Sequence, residues 1–233
     1  MSSPIRALCV GIVVLSVAAC SGGEAAFRPL DVAGLNRSGP RTVTAAISYM
    51  PPFVVESQGM YLIGGGRLGP LIASSVIAQQ EAGKLAALRE AGVEDPAAVV
   101  RGILVSALVQ HLGLKESNRG PFFTTATAPE AIAGDYRGAD LVVDFRTVRW
   151  GLRATRSNHL WLDYLGRLRL IDGRSGAVVA EGSCSTPGPD SDEVEPPVYL
   201  AWAFEDGAML KGELWRTANR CADDFLARVL RLP

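Results

Sequence analysis

The sequence predicts an α+β fold: a mostly antiparallel sheet of about four strands, packed by two or three helices on one face. Three observations predict it. Ala139–Trp150, Leu160–Ile171 and Ala177–Cys184 read as consecutive extended segments, two of them joined by the turn string Asp172-Gly173-Arg174-Ser175-Gly176. Two other segments carry apolar residues at helical spacing, Val100/Leu104/Leu108/Leu112 and Leu210/Leu214/Ala218/Cys221/Ala222/Phe225/Val229. The order is strand, two helices, three strands, helix. That order suits a sheet with segregated helices rather than an alternating parallel fold.

Taken along the chain, Thr42–Tyr49 is rich in β-branched residues and is expected to be a strand, which Pro51-Pro52 interrupts because proline cannot donate to a ladder. Phe53–Val55 can resume extended. A helix is expected from about Leu68 to Ala91, with Pro70 in its first turn and Gly92 at its end. Asp95-Pro96 opens a second helix that runs to Leu112, where Gly113 can cap it. In Leu160–Ile171, Leu160, Leu162, Tyr164, Leu168 and Leu170 share one face, and Asp163, Arg167 and Arg169 the other. In Ala177–Cys184 the even positions Val178, Ala180, Gly182 and Cys184 form a small apolar face. A final helix is expected over about Glu205–Leu230.

The chain has 233 residues, 48% apolar and 20% charged, with 23 Lys plus Arg against 24 Asp plus Glu. That composition excludes a disordered chain, and the near-zero balance excludes the basic excess of a nucleic-acid binder. No nucleic-acid partner is expected.

The first residues read as an address. Arg6 gives a positive start, and Ala7–Ala18 is an uncharged apolar run, too short for the roughly 20 residues of a membrane span but right for a signal peptide. The run ends in Val17-Ala18-Ala19-Cys20. This string resembles the lipobox of bacterial lipoprotein precursors. The resemblance implies cleavage before Cys20, a diacylglyceryl group on its thiol, and anchoring to the membrane through acyl chains. Ser21, rather than Asp, after the cysteine implies the periplasmic face of the outer membrane. The expected organisation is a signal peptide over residues 1–19, a lipidated tether over 20–41, and one α+β domain over 42–233.

Of the other cysteines, Cys9 leaves with the signal. Cys184 and Cys221 remain as a pair in an oxidising compartment and are expected to form a disulfide. Cys184 falls on the apolar face of its strand and Cys221 on the buried stripe of the last helix, so a bridge would staple helix to sheet.

Gly64-x-Gly66-x-x-Gly69 matches a dinucleotide-loop string, but no strand leads into it, so no cofactor is expected. Close packing accounts for it better. Gly65, Gly69 and Ala73 recur every four residues, a spacing that admits another backbone. They lie in the apolar stretch 62–78, a possible membrane or partner contact. His111 and His159 follow no metal spacing, and no metal site is expected. Charge is segregated: residues 137–174 hold eight arginines against four aspartates, whereas 187–206 hold six acids and no base. The basic strands can present a face to anionic headgroups or to an acidic partner.

The body loosely resembles small α/β lipoproteins that act as accessory factors in envelope assembly. The resemblance rests on architecture and on Leu170-Ile171-Asp172-Gly173-Arg174-Ser175-Gly176, and it transfers no functional residue. It implies a non-enzymatic lipoprotein that binds or scaffolds envelope components, with an envelope protein as the expected partner, without setting its oligomeric state. The alternatives are a lipid-anchored periplasmic hydrolase and an oligomeric secretion or pore component that uses residues 62–78.

Overall fold

The computed structural model describes residues 27–56, 90, 92–117, 120, 123–154, 159–187, 198–199 and 207–232. The expected helix at 68–91, the segment 62–78 with Gly65, Gly69 and Ala73, the lipobox with Cys20, and most of the acidic 187–206 stretch lie outside them.

The fold is α+β, around one mixed sheet. Its strands are β1 (Thr42–Ala45), β2 (Val54–Glu56), β3 (Lys115–Glu116), β4 (Leu141–Ala154), β5 (His159–Asp172), β6 (Val178–Ser185) and β7 (Val198–Tyr199). The main path runs β3-β1-β4-β5-β6, with β2 also on β4 and β7 also on β5. Where β4, β5 and β6 follow one another the sheet is antiparallel, as expected. The other side departs from expectation: β1 and β2 pair with β4 in parallel, and β3 pairs with β1 in parallel. The long return from β1 to β3 and β4 allows this. It contains the helix α2 (Ala97–Leu112), and parallel neighbours need such a crossover.

The other helices are α1 (Val32–Ser38), α3 (Pro129–Asp135) and α4 (Ala208–Asp224), which continues as a π-helical turn over Phe225–Leu230. Helix α2 begins where Asp95 Oδ1 accepts the Ala97 N–H at 2.9 Å and ends at Gly113 in the left-handed region, φ 65°. Both signals were legible. Asp95 also accepts from the Thr147 hydroxyl, which lies 3.1 Å from the Tyr164 hydroxyl. That chain pins the start of α2 to the sheet, and burial pushes the Tyr164 phenol well above its ordinary value.

The inner face of the sheet holds the main core. Val143, Phe145, Trp150 and Leu152 of β4, with Leu162, Tyr164, Leu168 and Leu170 of β5, pack against Val100, Leu104 and Leu108 of α2 and Leu210, Leu214 and Ala218 of α4. Phe145 and Phe225 meet edge to face at 5.6 Å. The π turn comes so close to β6 that a Cβ on Gly182 would stand 2.6 Å from Val229 Cγ2, so a larger residue there would have to displace Val229. Beside it, Cys184 and Cys221 form the expected disulfide, with Cα atoms 5.6 Å apart and 37 residues between them. Closing that loop is worth about 4 kcal/mol in the chain-entropy model.

Three expectations need correction. First, the tether assigned to residues 20–41 is part of the domain from residue 27 on. Arg28 exchanges both backbone hydrogen bonds with Glu181, Leu30 and Leu35 are buried in the main core, and Asp31 caps α1 through the Gly34 N–H at 2.9 Å. Second, the helices do not all lie on one face. Helix α3 covers one end of the outer face, where Ile132, Ala133 and Tyr136 pack on Ala46, Val142 and Ile171. Third, Val178 does not share the face of Ala180 and Cys184. The register slips between Leu170 and Ile171, and a one-residue slip turns Val178 to the outer cluster.

Candidate functional site

Beyond α3 no described helix covers the outer face of the sheet, and its character changes from apolar to ionic. The alternation of β4 that sends Val143 and Phe145 inward sends Asp144 and Arg146 outward. On β5 the residues opposite them are Arg169 and Arg167, and on β6 Glu181 stands beside Arg169. Arg28, bridged to Glu181, extends this row to the sheet edge. Further along, Arg149, Arg153 and Asp163 continue the face.

The acids are held deep and shared. The Asp144 side chain is only 1% exposed. Its Oδ1 accepts from Arg146 Nε at 2.6 Å, and its Oδ2 accepts from Arg169 Nε at 2.9 Å. Asp163 is similarly buried and accepts from Arg149 Nε at 2.8 Å and Arg153 Nε at 2.9 Å. Its hydrogen bond raises the Arg149 pKa above the ordinary guanidinium value. Glu181 pairs with Arg167. Among the described residues, five arginines thus meet three carboxylates on this face. The side chains of Arg149, Arg153 and Arg167 reach the surface, 52%, 41% and 46% exposed.

A bulge between Thr147 and Arg149 pushes Val148 outward, and it separates two clefts. One, of about 240 Å³, is lined by Thr127, Asp144, Arg146, Val148, Arg167 and Arg169. The other, of about 260 Å³, is lined by Pro51, Pro52, Val54, Val148, Arg149 and Arg153 together with Trp150 and Asp163. Pro51 is fixed there because its carbonyl accepts the Trp150 Nε1–H at 2.9 Å. Of the exposed large apolar residues, Val54 lines the second cleft and Val148 lines both. The site therefore sets arginines beside exposed apolar side chains.

The residues singled out from sequence distribute unevenly. The Asp163/Arg167/Arg169 face is as expected. Cys184 and Cys221 lie behind it, inside the core. Cys20, Gly65, Gly69 and Ala73 are outside the described residues. Arg174 is remote from the site. It clips the turn at the sheet end by donating to Asp140 Oδ1 at 2.7 Å, while Asp140 Oδ2 accepts from the Arg41 and Thr42 amides. Those hydrogen bonds, the Arg41 amide foremost, lower the Asp140 pKa to about 2. Arg28 and Val148 were missed. No spacing signal announces a bulge, and Arg28 lay in a stretch without period. Among the described residues, no group of His, Cys, Asp and Glu side chains is gathered to hold a metal, and no helix is long and apolar enough to cross a membrane.

No protein-family model matches the chain, and no curated protein matches it. Among solved structures, the hypothetical protein CT253 from Chlamydia trachomatis is similar, with a TM-score of 0.40 and 12% identity over 82% of this chain and 96% of that one. The lipoprotein GNA1162 from Neisseria meningitidis is similar with a TM-score of 0.28 and 18% identity, over 77% of this chain and 99% of that one.

Proposed function

We propose that this chain is a non-catalytic lipoprotein, anchored by acyl chains on Cys20 to the periplasmic face of the outer membrane, that docks or scaffolds envelope components on the outer face of its sheet. The observation that carries the reading is the cluster of arginines beside exposed Val54 and Val148, on the face no helix covers among the described residues. Two or more acyl chains give stable attachment without a spanning helix. Phe27 follows Cys20 by seven residues, so chain geometry limits their separation to roughly 25 Å. The anchor therefore keeps the domain near the membrane surface.

The test has two arms. The Cys20→Ala chain is expected to leave the membrane fraction, and its retention there would remove the anchor. Chemical cross-linking of the anchored protein in envelopes is expected to give adducts that disappear in Arg149→Glu/Arg153→Glu. Adducts that persist unchanged in that variant place docking elsewhere.

A further inference from the structure

The outer face contains one arrangement that ion pairing does not explain. Arg146 and Arg167 are direct register partners on adjacent strands and point to the same side. Like charges placed opposite each other in a sheet repel. Among the described residues, Arg146 Nε donates to Asp144 and its Nη2 to the Ala126 carbonyl at 2.7 Å, while Arg167 Nε donates to Glu181. Arg169 donates through Nε and Nη2 to Asp144. A guanidinium carries five N–H donors, and among the described residues no acceptor engages the Nη1 groups of these three arginines. All three line the 240 Å³ cleft together with Thr127, Thr147, Val148 and, as the one carboxylate among the described residues, Asp144.

Resting on the docking reading above, we infer that the cleft between Arg146 and Arg167 binds a phosphate group. A tetrahedral anion there would accept from both guanidinium groups, and bidentate Arg–phosphate contacts suit that geometry. It would also neutralise the repulsion between them. The acids remain where they are, because each already occupies the opposite edge of its arginine. The phosphate can come from an anionic lipid headgroup, since the anchor keeps the domain near a bilayer, or from a soluble phosphorylated ligand. The chemistry of the cleft is the same for both.

The full anchored protein in neutral detergent is titrated with inorganic phosphate against chloride at constant ionic strength, following the thermal midpoint. A saturable rise is expected. Arg146→Gln and Arg167→Gln are each expected to weaken it about tenfold or more, whereas Arg37→Gln, on the remote α1, leaves it unchanged. Circular dichroism of each variant confirms folding, and Arg167→Lys, which keeps the charge, is expected to retain part of the response. Repeating the titration in phosphatidylcholine nanodiscs with and without phosphatidylglycerol distinguishes the sources. A response abolished by phosphatidylglycerol identifies the headgroup, and one that persists identifies a soluble ligand. No saturable response, or one undiminished in Arg167→Gln, overturns the inference. If envelope adducts still depend on Arg149 and Arg153 in that event, the docking reading stands without the phosphate site.

Discussion

The two faces of the one sheet are built from alternate residues of the same strands, yet they are stabilised by opposite means. The inner face excludes water with Phe145, Tyr164, Leu168 and Leu170 under α2 and α4. The outer face, past the small cluster under α3, buries carboxylates instead and surrounds each with guanidinium groups. The inner arrangement is complete within the chain. Among the described residues the outer one gathers five arginines around three carboxylates, and Arg149, Arg153 and Arg167 stay about half exposed.

Substitutions can separate the two. The largest effect is expected on the inner face. Phe225→Ala removes the ring packed on Phe145 and is expected to cost about 4 kcal/mol in urea unfolding. On the outer face, Asp144→Ala strands Arg169 and Arg146 and is expected to cost about 3 kcal/mol. Its signature is partial rescue when Arg169 is also made Leu. If Asp144→Ala is neutral, the outer face is an ordinary solvated surface and the contrast fails.

Asp140 supplies a pH signature at the sheet end. Its folded pKa lies near 2, below the ordinary 3.8, so its contribution is present above about pH 4 and lost as the pH falls towards 2. On the order of 1 kcal/mol is expected to disappear over that window, and Asp140→Asn should flatten it. Arg149→Ala, at an exposed pair, is expected to change stability by less than about 0.5 kcal/mol while still affecting docking. One small change should have the opposite sign. Among the described residues the buried Thr217 hydroxyl of α4 has no hydrogen-bond partner, so Thr217→Val is expected to stabilise by up to about 1 kcal/mol.

Much of this contrast was legible in the sequence. The period of β5 assigned Leu162, Tyr164, Leu168 and Leu170 to one side and Asp163, Arg167 and Arg169 to the other, because side-chain alternation in a strand is strict. The stripe of α4 followed from spacing, and the pairing of Cys184 with Cys221 from their being the pair left in an oxidising compartment. Strand direction was not legible: β1 has only four residues, and nothing local distinguishes a parallel neighbour from an antiparallel one. The packing of residues 27–41 was hidden because Leu30 and Leu35 are too few to show a period, although Asp31 and Gly39 cap a helix between them. The bulge at Val148 and the slip beside Val178 break the alternation that made the strands readable. The bulge helps shape the two clefts. The sharing of Asp144 by two arginines depends on register across strands, which a single segment does not encode.

The central claim is that the outer face, not the helical side, meets what this protein binds. A photo-cross-linking residue placed at Val148, between the two clefts, and another at Trp215, exposed on α4, compares them in the anchored protein within envelopes. The account predicts specific adducts from position 148 and none from position 215. Adducts from position 215 with none from 148 would contradict it.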